Sequence, residues 1–93
     1  MIIGLMRMEL HLPTCNSLKD KRSIIKRLFA HLRRTYNVGV AEIDHQDVWR
    51  STAIAVVTVF NEVVPTEQTL GRVAAEVVKT DGIDVISQEV ELL

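Results

Sequence analysis

The chain opens with alternating apolar and polar residues. Over residues 2–12, apolar residues such as Met6 and Met8 fall on even positions, and polar residues such as Arg7 lie between them. A period of two predicts a strand with one buried face. Pro13 ends this strand because proline cannot donate to a sheet ladder.

The pattern then changes to helical spacing. Ile24, Leu28 and Leu32 recur every four residues after Ser17, a residue suited to cap a helix N-terminus. This pattern predicts a helix over residues 17–36.

The rest of the chain predicts three more strands and one more helix. We expect a strand that leads into a turn at 38–47, and strands at 51–60 and 83–93, of which 51–60 is rich in β-branched residues. A second apolar stripe predicts a helix that begins after Thr66 as N-cap and ends before Gly82.

The predicted order is therefore β-α-β-β-α-β, which is typical of a ferredoxin-like α+β sandwich. Right-handed crossovers place both helices on one face of a four-stranded antiparallel sheet. The length of 93 residues fits a single domain, residues 1–93.

The third strand of this arrangement is unusual because both of its faces are apolar. Val57 and Val59 alternate with Ile54 and Val56, although helices can cover only one face of the sheet. We therefore expect a homodimer in which a second copy covers the open sheet face.

Charge changes the picture of the first helix. Residues 1–40 carry a net charge of +6 and residues 41–93 a net charge of −7, within a total of −1. Helical periodicity sorts the basic residues: Lys21 falls toward the buried edge, where its long side chain is expected to extend to solvent. The outward-facing candidates for phosphate contacts are Lys19, Arg22, Lys26, Arg27, Arg33 and Arg34.

Two interpretations of this basic helix stay open. A solvated or intramolecularly paired helix face needs no partner. An anion-docking face explains why Asp20 is the only acidic residue in the segment, since phosphate binding requires such separation of charge.

A second cluster of polar residues lies near the end of the second strand. Its members are possible partner contacts: Glu42, Asp44, Gln46, Asp47 and Trp49. Local turn hydrogen bonds explain Asp44 and Asp47, and Trp49 is either a packing anchor or a base-stacking residue. A metal-assisted hydrolase at Asp44, His45 and Asp47 is a third interpretation, but neighbouring strand residues point to opposite faces, so no metal is expected.

Other site chemistry is sparse. The four glycines form no phosphate loop, the three histidines form no triad spacing, and we expect no cofactor and no enzymatic activity. Cys15 is the only cysteine, and its place before the first helix could lower its pKa. The absence of a signal peptide, of a membrane span and of paired cysteines predicts a cytoplasmic protein with no membrane partner.

Two motifs together resemble the small bacterial YlxP-like family. They are "SLKDKRS" at the start of the first helix and "YNVGVAEIDHQDVW" from Tyr36 to Trp49, followed by a "VIS…EVE" ending. The resemblance implies a ferredoxin-like domain of unknown function, often encoded near ribosome-binding factor A and translation initiation factors. Arg50 departs from the family pattern, in which Gln often follows the Trp.

The sequence and the resemblance predict a non-enzymatic protein that associates with RNA or the ribosome through the basic helix, residues 17–36. The alternative is a homodimeric structural or regulatory interaction module that binds no nucleic acid.

Overall fold

The computed structural model describes all residues, 1–93. Its four strands are β1 (Ile2–His11), β2 (Gly39–Asp44), β3 (Ser51–Phe60) and β4 (Asp84–Leu92). Its two helices are α1 (Leu18–Thr35) and α2 (Val63–Lys79). The predicted β-α-β-β-α-β order is confirmed.

The strands form one antiparallel sheet in the spatial order β2-β3-β1-β4. β1 pairs with β3 along its whole length, from Ile2 opposite Phe60 to His11 opposite Ser51. β4 pairs on the other side of β1, and β2 forms the opposite edge. This is the expected ferredoxin-like fold, in which the crossover through each helix places it over the same face of the sheet.

The core lies between the helices and the even-numbered face of β1. Met6, Met8 and Leu10 are buried there, against Leu32 of α1 and Val73 of α2. The period-two pattern of β1 and the helical patterns of α1 and α2 therefore predicted the buried faces correctly, because burial of the apolar face of each element is favourable.

Close approach of α2 to β1 depends on Gly4. A Cβ atom at this position would lie 2.6 Å from Thr66 Cγ2 and 2.9 Å from Leu70 Cδ1. Glycine therefore lets the first turns of the helix pack almost directly on the strand backbone.

The start of α2 differs from the prediction. The helix begins at Val63 with Glu62 as its N-cap residue, so Thr66 is not the cap. Thr66 lies in the first turn, where its Oγ1 donates to the Glu62 carbonyl at 2.8 Å. The predicted stop was correct, since the helix ends at Lys79 and Gly82 follows with a φ of 83°.

The sheet face turned away from the helices is open. Val57 and Val59 on β3 are 40% and 47% exposed, and Ile43 near the end of β2 is 38% exposed. Within one chain, Ile54 and Val56 lie in the core, whereas Val57 and Val59 on the opposite face of β3 are exposed. Neither α1 nor α2 combines the length and the hydrophobicity that a membrane-spanning helix requires.

Candidate nucleic-acid interface

Helix α1 separates apolar from basic residues across its cross-section. Ser17 Oγ accepts a hydrogen bond from the Asp20 N–H at 3.0 Å, which fixes the start of the helix. Ile25, Leu28 and Leu32 then face the core. All of the predicted contact residues are exposed on the remaining surface: Lys19, Arg22, Lys26, Arg27, Arg33 and Arg34.

None of these six residues pairs with a carboxylate. The ion pairs of the structure are formed by Lys21 and by histidines, and the Asp20 side chain accepts from the Asn16 N–H instead. An intramolecularly paired face is thereby excluded for α1. The outer face presents uncompensated positive charge, which is the property that phosphate contacts require.

Arg33 is held in place by two contacts. Its Nη2 donates to the Val40 carbonyl of β2 at 3.1 Å, and its guanidinium carbon lies 5.6 Å from the centre of the Phe29 ring. A planar guanidinium over an aromatic ring is a favourable cation–π arrangement. Arg33 is therefore the most positionally defined cation of the outer face.

The helical pattern predicted that the Lys21 side chain extends to solvent. In the structure this residue is buried, with only 1% of its surface exposed. Its Nζ donates to the carbonyls of His45, Gln46 and Ser51 at 2.7, 3.2 and 3.3 Å. The same Nζ lies 2.9 Å from Glu42 Oε2. The loop between β2 and β3 thus wraps over this ammonium group, because a buried charge needs several close acceptors.

Glu42 is the one member of the second polar cluster that joins the α1 surface. It points to the helix side of β2 at 22% exposure, where Oε2 contacts Lys21 and accepts from Thr52 Oγ1. The two sequence motifs therefore meet at the Lys21–Glu42 pair. The only sequence feature that pointed to this contact was the position of a lysine at the buried edge of the helix. That feature does not identify the partner of the lysine.

The other members of that cluster do not form a site. Asp44, the last residue of β2, is exposed, as are Gln46, Asp47 and Trp49 in the loop that follows. Trp49 is 50% exposed, so it is not a packing anchor. Asp44 Oδ1 accepts from the His45 N–H at 2.7 Å, the local turn contact expected for this residue.

His45 adopts a left-handed backbone at this turn, with a φ of 62°. Its Nε2 lies 3.2 Å from Glu9 Oε2, and its Nδ1 lies 3.8 Å from Asp44 Oδ1. No group of three His, Cys, Asp or Glu side chains in the structure is arranged to hold a metal ion.

Arg50, which departs from the family pattern, has a structural role. Its Nε donates to the Cys15 carbonyl at 2.8 Å and its Nη2 to Asn16 Oδ1 at 3.1 Å. These bonds tie the loop after β2 to the loop before α1. Arg50 therefore helps to position the N-terminus of the basic helix.

The environment of Cys15 opposes the sequence-based expectation for its thiol. The side chain is buried, and burial raises its pKa above the ordinary value, with the Asp20 carboxylate adding to the effect. Lys21 and Arg50 act in the opposite direction but are weaker causes. The thiol is therefore a core group and is not activated as a nucleophile.

A polar contact joins the two helices at the other end of α1. Glu76 of α2 receives His31 Nε2 at 2.7 Å and the Tyr36 hydroxyl at 3.1 Å. These hydrogen bonds, that of His31 above all, hold the pKa of Glu76 below its ordinary value. The contact fixes the end of α1 relative to α2 and takes no part in the basic outer face.

A groove lies between α1 and β2, on the side of the outer face that contains Arg33. Its volume is about 340 Å³. Apolar Ile25 and Phe29 lie along it, with the Lys21–Glu42 pair to one side. The lining also includes the exposed cations Arg22, Lys26 and Arg33.

Comparison with known proteins agrees with this reading of the fold and the motifs. Residues 3–90 match the family described as "Protein of unknown function (DUF503)". The chain belongs to the DUF503 family. The family description gives no activity, substrate or partner.

The chain is similar in sequence to the "Uncharacterized protein YlxP" of Bacillus subtilis (strain 168). It is 35% identical over 74 residues, which cover 80% of each chain. The predicted resemblance to the YlxP-like family is thereby confirmed.

Among solved structures, the chain is similar to the "De novo designed protein Foldit4". The TM-score is 0.55 at 16% identity, covering 100% of this chain and 97% of that one. At this identity the likeness concerns the fold alone.

Proposed function

We propose that this DUF503 protein is a non-enzymatic cytoplasmic protein that binds RNA, on or near the ribosome, through the outer face of α1. The observation that carries the proposal is the set of six exposed basic residues on one helix, none of which pairs with a carboxylate. The choice of RNA among anionic partners rests on the resemblance described above.

The distribution of charge supports a directed mode of binding. The acidic residues of the chain lie mostly after residue 40, and β4 on the far edge of the sheet carries Asp84, Glu89 and Glu91 in exposed positions. A polyanion is attracted to α1 and repelled from this edge. Phosphate contacts of this kind position a protein on RNA without reading its sequence.

The salt dependence of RNA binding tests this proposal. If all six basic residues contact phosphates of a single strand, the logarithm of the binding constant falls with the logarithm of salt concentration with a slope of about −4. Fluorescence anisotropy with labelled ribosomal RNA fragments at several potassium chloride concentrations gives this slope. A slope near zero, or no binding at low salt, contradicts the proposal.

We also propose that two copies of the chain pair through their open sheet faces. Exposed Val57 and Val59 of β3 form an apolar patch that no element of the same chain covers. The flanking Ile3 and Leu5 of β1, on the same face, are only half-buried. This face lies opposite α1, so pairing leaves the basic outer face free. If the protein binds no RNA, the alternative is a homodimeric structural or regulatory interaction module.

Light scattering at several ionic strengths measures this pairing. We expect a dimer mass that persists at high salt, because apolar burial is not screened. Val57→Lys is expected to weaken dimerisation at least about tenfold, because it buries an unpaired charge in the interface. Val78→Lys, at an exposed valine of α2, is the matched control and leaves the mass unchanged. A monomer mass at every salt concentration rules out the dimer.

A further inference from the structure

The groove between α1 and β2 has a chemistry that phosphate binding alone does not explain. A surface that binds only a phosphate backbone needs cations and no apolar cavity. Here the cations Arg22, Lys26 and Arg33 surround a space of about 340 Å³ beside the side chains of Ile25 and Phe29. This volume falls at the lower end of the range for small-molecule pockets.

Glu42 restricts what can occupy the groove. Its Oε2 is taken by Lys21 Nζ and Thr52 Oγ1, whereas Oε1 has no hydrogen-bond partner in the chain. A carboxylate repels a phosphate group but accepts hydrogen bonds from N–H donors. The part of a ligand that approaches Glu42 therefore carries a hydrogen-bond donor, such as an N–H group, and no negative charge.

Arg33 supplies a planar surface at the same place. Its guanidinium carbon lies over the Phe29 ring, 5.6 Å from the ring centre, and the bond to the Val40 carbonyl restricts its movement. Because Arg33 is an exposed residue, a ligand can reach its guanidinium plane from solvent. Guanidinium planes of this kind stack on unpaired bases in RNA complexes.

We infer that the groove holds one unpaired nucleotide of a bound RNA single strand, an inference that rests on the proposed RNA binding. The base stacks on the guanidinium plane of Arg33 and donates an N–H to Glu42 Oε1. The flanking phosphates contact Arg22 and Lys26. A base in a duplex is already stacked and paired, so duplex RNA reaches the outer face of α1 but not the groove.

The test compares one labelled RNA of about twelve nucleotides as a single strand and annealed to its complement. The variant Arg33→Lys keeps the charge and removes the planar stacking surface. Its matched control is Arg72→Lys, the same change at an exposed arginine of α2 that lies outside the proposed interface. Anisotropy titrations of both RNA forms with the parent and both variants give the affinities, and circular dichroism checks that each variant is folded.

We expect the parent to bind the single strand more tightly than the duplex. Arg33→Lys is expected to weaken single-strand binding about fivefold or more while leaving duplex binding unchanged, and Arg72→Lys is expected to change neither. Equal effects of the two variants, or a duplex bound at least as tightly as the single strand, overturn the groove inference but leave the proposed phosphate binding intact. Absence of binding to either RNA form overturns both.

Discussion

Reversing three charges on the outer face of α1 is expected to abolish most RNA binding. In the variant Lys19→Glu, Arg22→Glu and Lys26→Glu, we expect the dissociation constant for RNA at low salt to rise at least about a hundredfold. Each reversal removes one phosphate attraction and adds one repulsion. A loss of about 1 kcal/mol at each position amounts to more than a hundredfold in affinity.

The same variant is expected to flatten the salt dependence. Three fewer phosphate contacts reduce the slope against the logarithm of salt concentration by about 2. The slope distinguishes the loss of phosphate contacts from inactivation of part of the protein sample. Inactivation would lower the fraction of protein that binds RNA without altering the slope. Anisotropy titrations over a range of potassium chloride concentrations measure both quantities.

Folding of α1 is not expected to suffer in this variant. Lys19, Arg22 and Lys26 are exposed and form no ion pair. The Lys19→Glu change places a carboxylate in the first turn of α1, where it interacts favourably with the helix dipole. A control with Arg72→Glu and Lys79→Glu, at exposed positions of α2, changes the net charge in the same direction and is expected to reduce affinity only about threefold. If the α1 variant binds RNA as well as the parent at low salt, the proposed interface is wrong.

Lys21→Met is expected to lower the free energy of unfolding by about 3 kcal/mol. The substitution removes the donor of three backbone carbonyls and leaves Glu42 without its counter-charge. Because Glu42 is 22% exposed, water partly replaces the lost partner, and the effect falls at the lower end of the range for broken buried pairs. A small domain has only about 5–15 kcal/mol of total stability, so the loss is large.

Urea unfolding of the parent and variants measures this effect. Lys19→Met, on the exposed side of the same helix, is the matched control and is expected to change stability by less than about 0.5 kcal/mol. Adding Glu42→Gln to Lys21→Met is expected to recover about 1 kcal/mol, because an amide tolerates the loss of the ammonium better than a carboxylate does. Equal stability of the Lys21→Met and Lys19→Met proteins would show that the buried lysine stabilises nothing.

Helical periodicity predicted the exposure of the outer face of α1 correctly, but it did not predict the burial of the residue at the edge of that face. Helical periodicity placed Lys19, Arg22 and Lys26 on the exposed side of α1, as the structure shows. The same periodicity placed Lys21 at the boundary and could not decide between solvent and core. That decision depends on the loop between β2 and β3, which is distant in the sequence and provides the carbonyl groups.

The start of α2 shows the same limit on a smaller scale. Thr66 is a good N-cap residue in isolation. In the folded chain it is buried against Gly4 of β1, and the helix begins three residues earlier without a side-chain cap. Packing on the sheet therefore decided the helix boundary against the local capping preference.

The sequence by itself determined the order of elements, the buried faces of β1 and of both helices, and the outward basic face of α1. Each of these follows from the period of the backbone, since a strand repeats every two residues and a helix every 3.6. Only the tertiary structure decided the burial of Lys21 against Glu42, the groove beside Arg33 and the exposure of Val57 on the open sheet face. These features join residues from elements far apart in the chain, so their free energies depend on neighbours that no local pattern specifies.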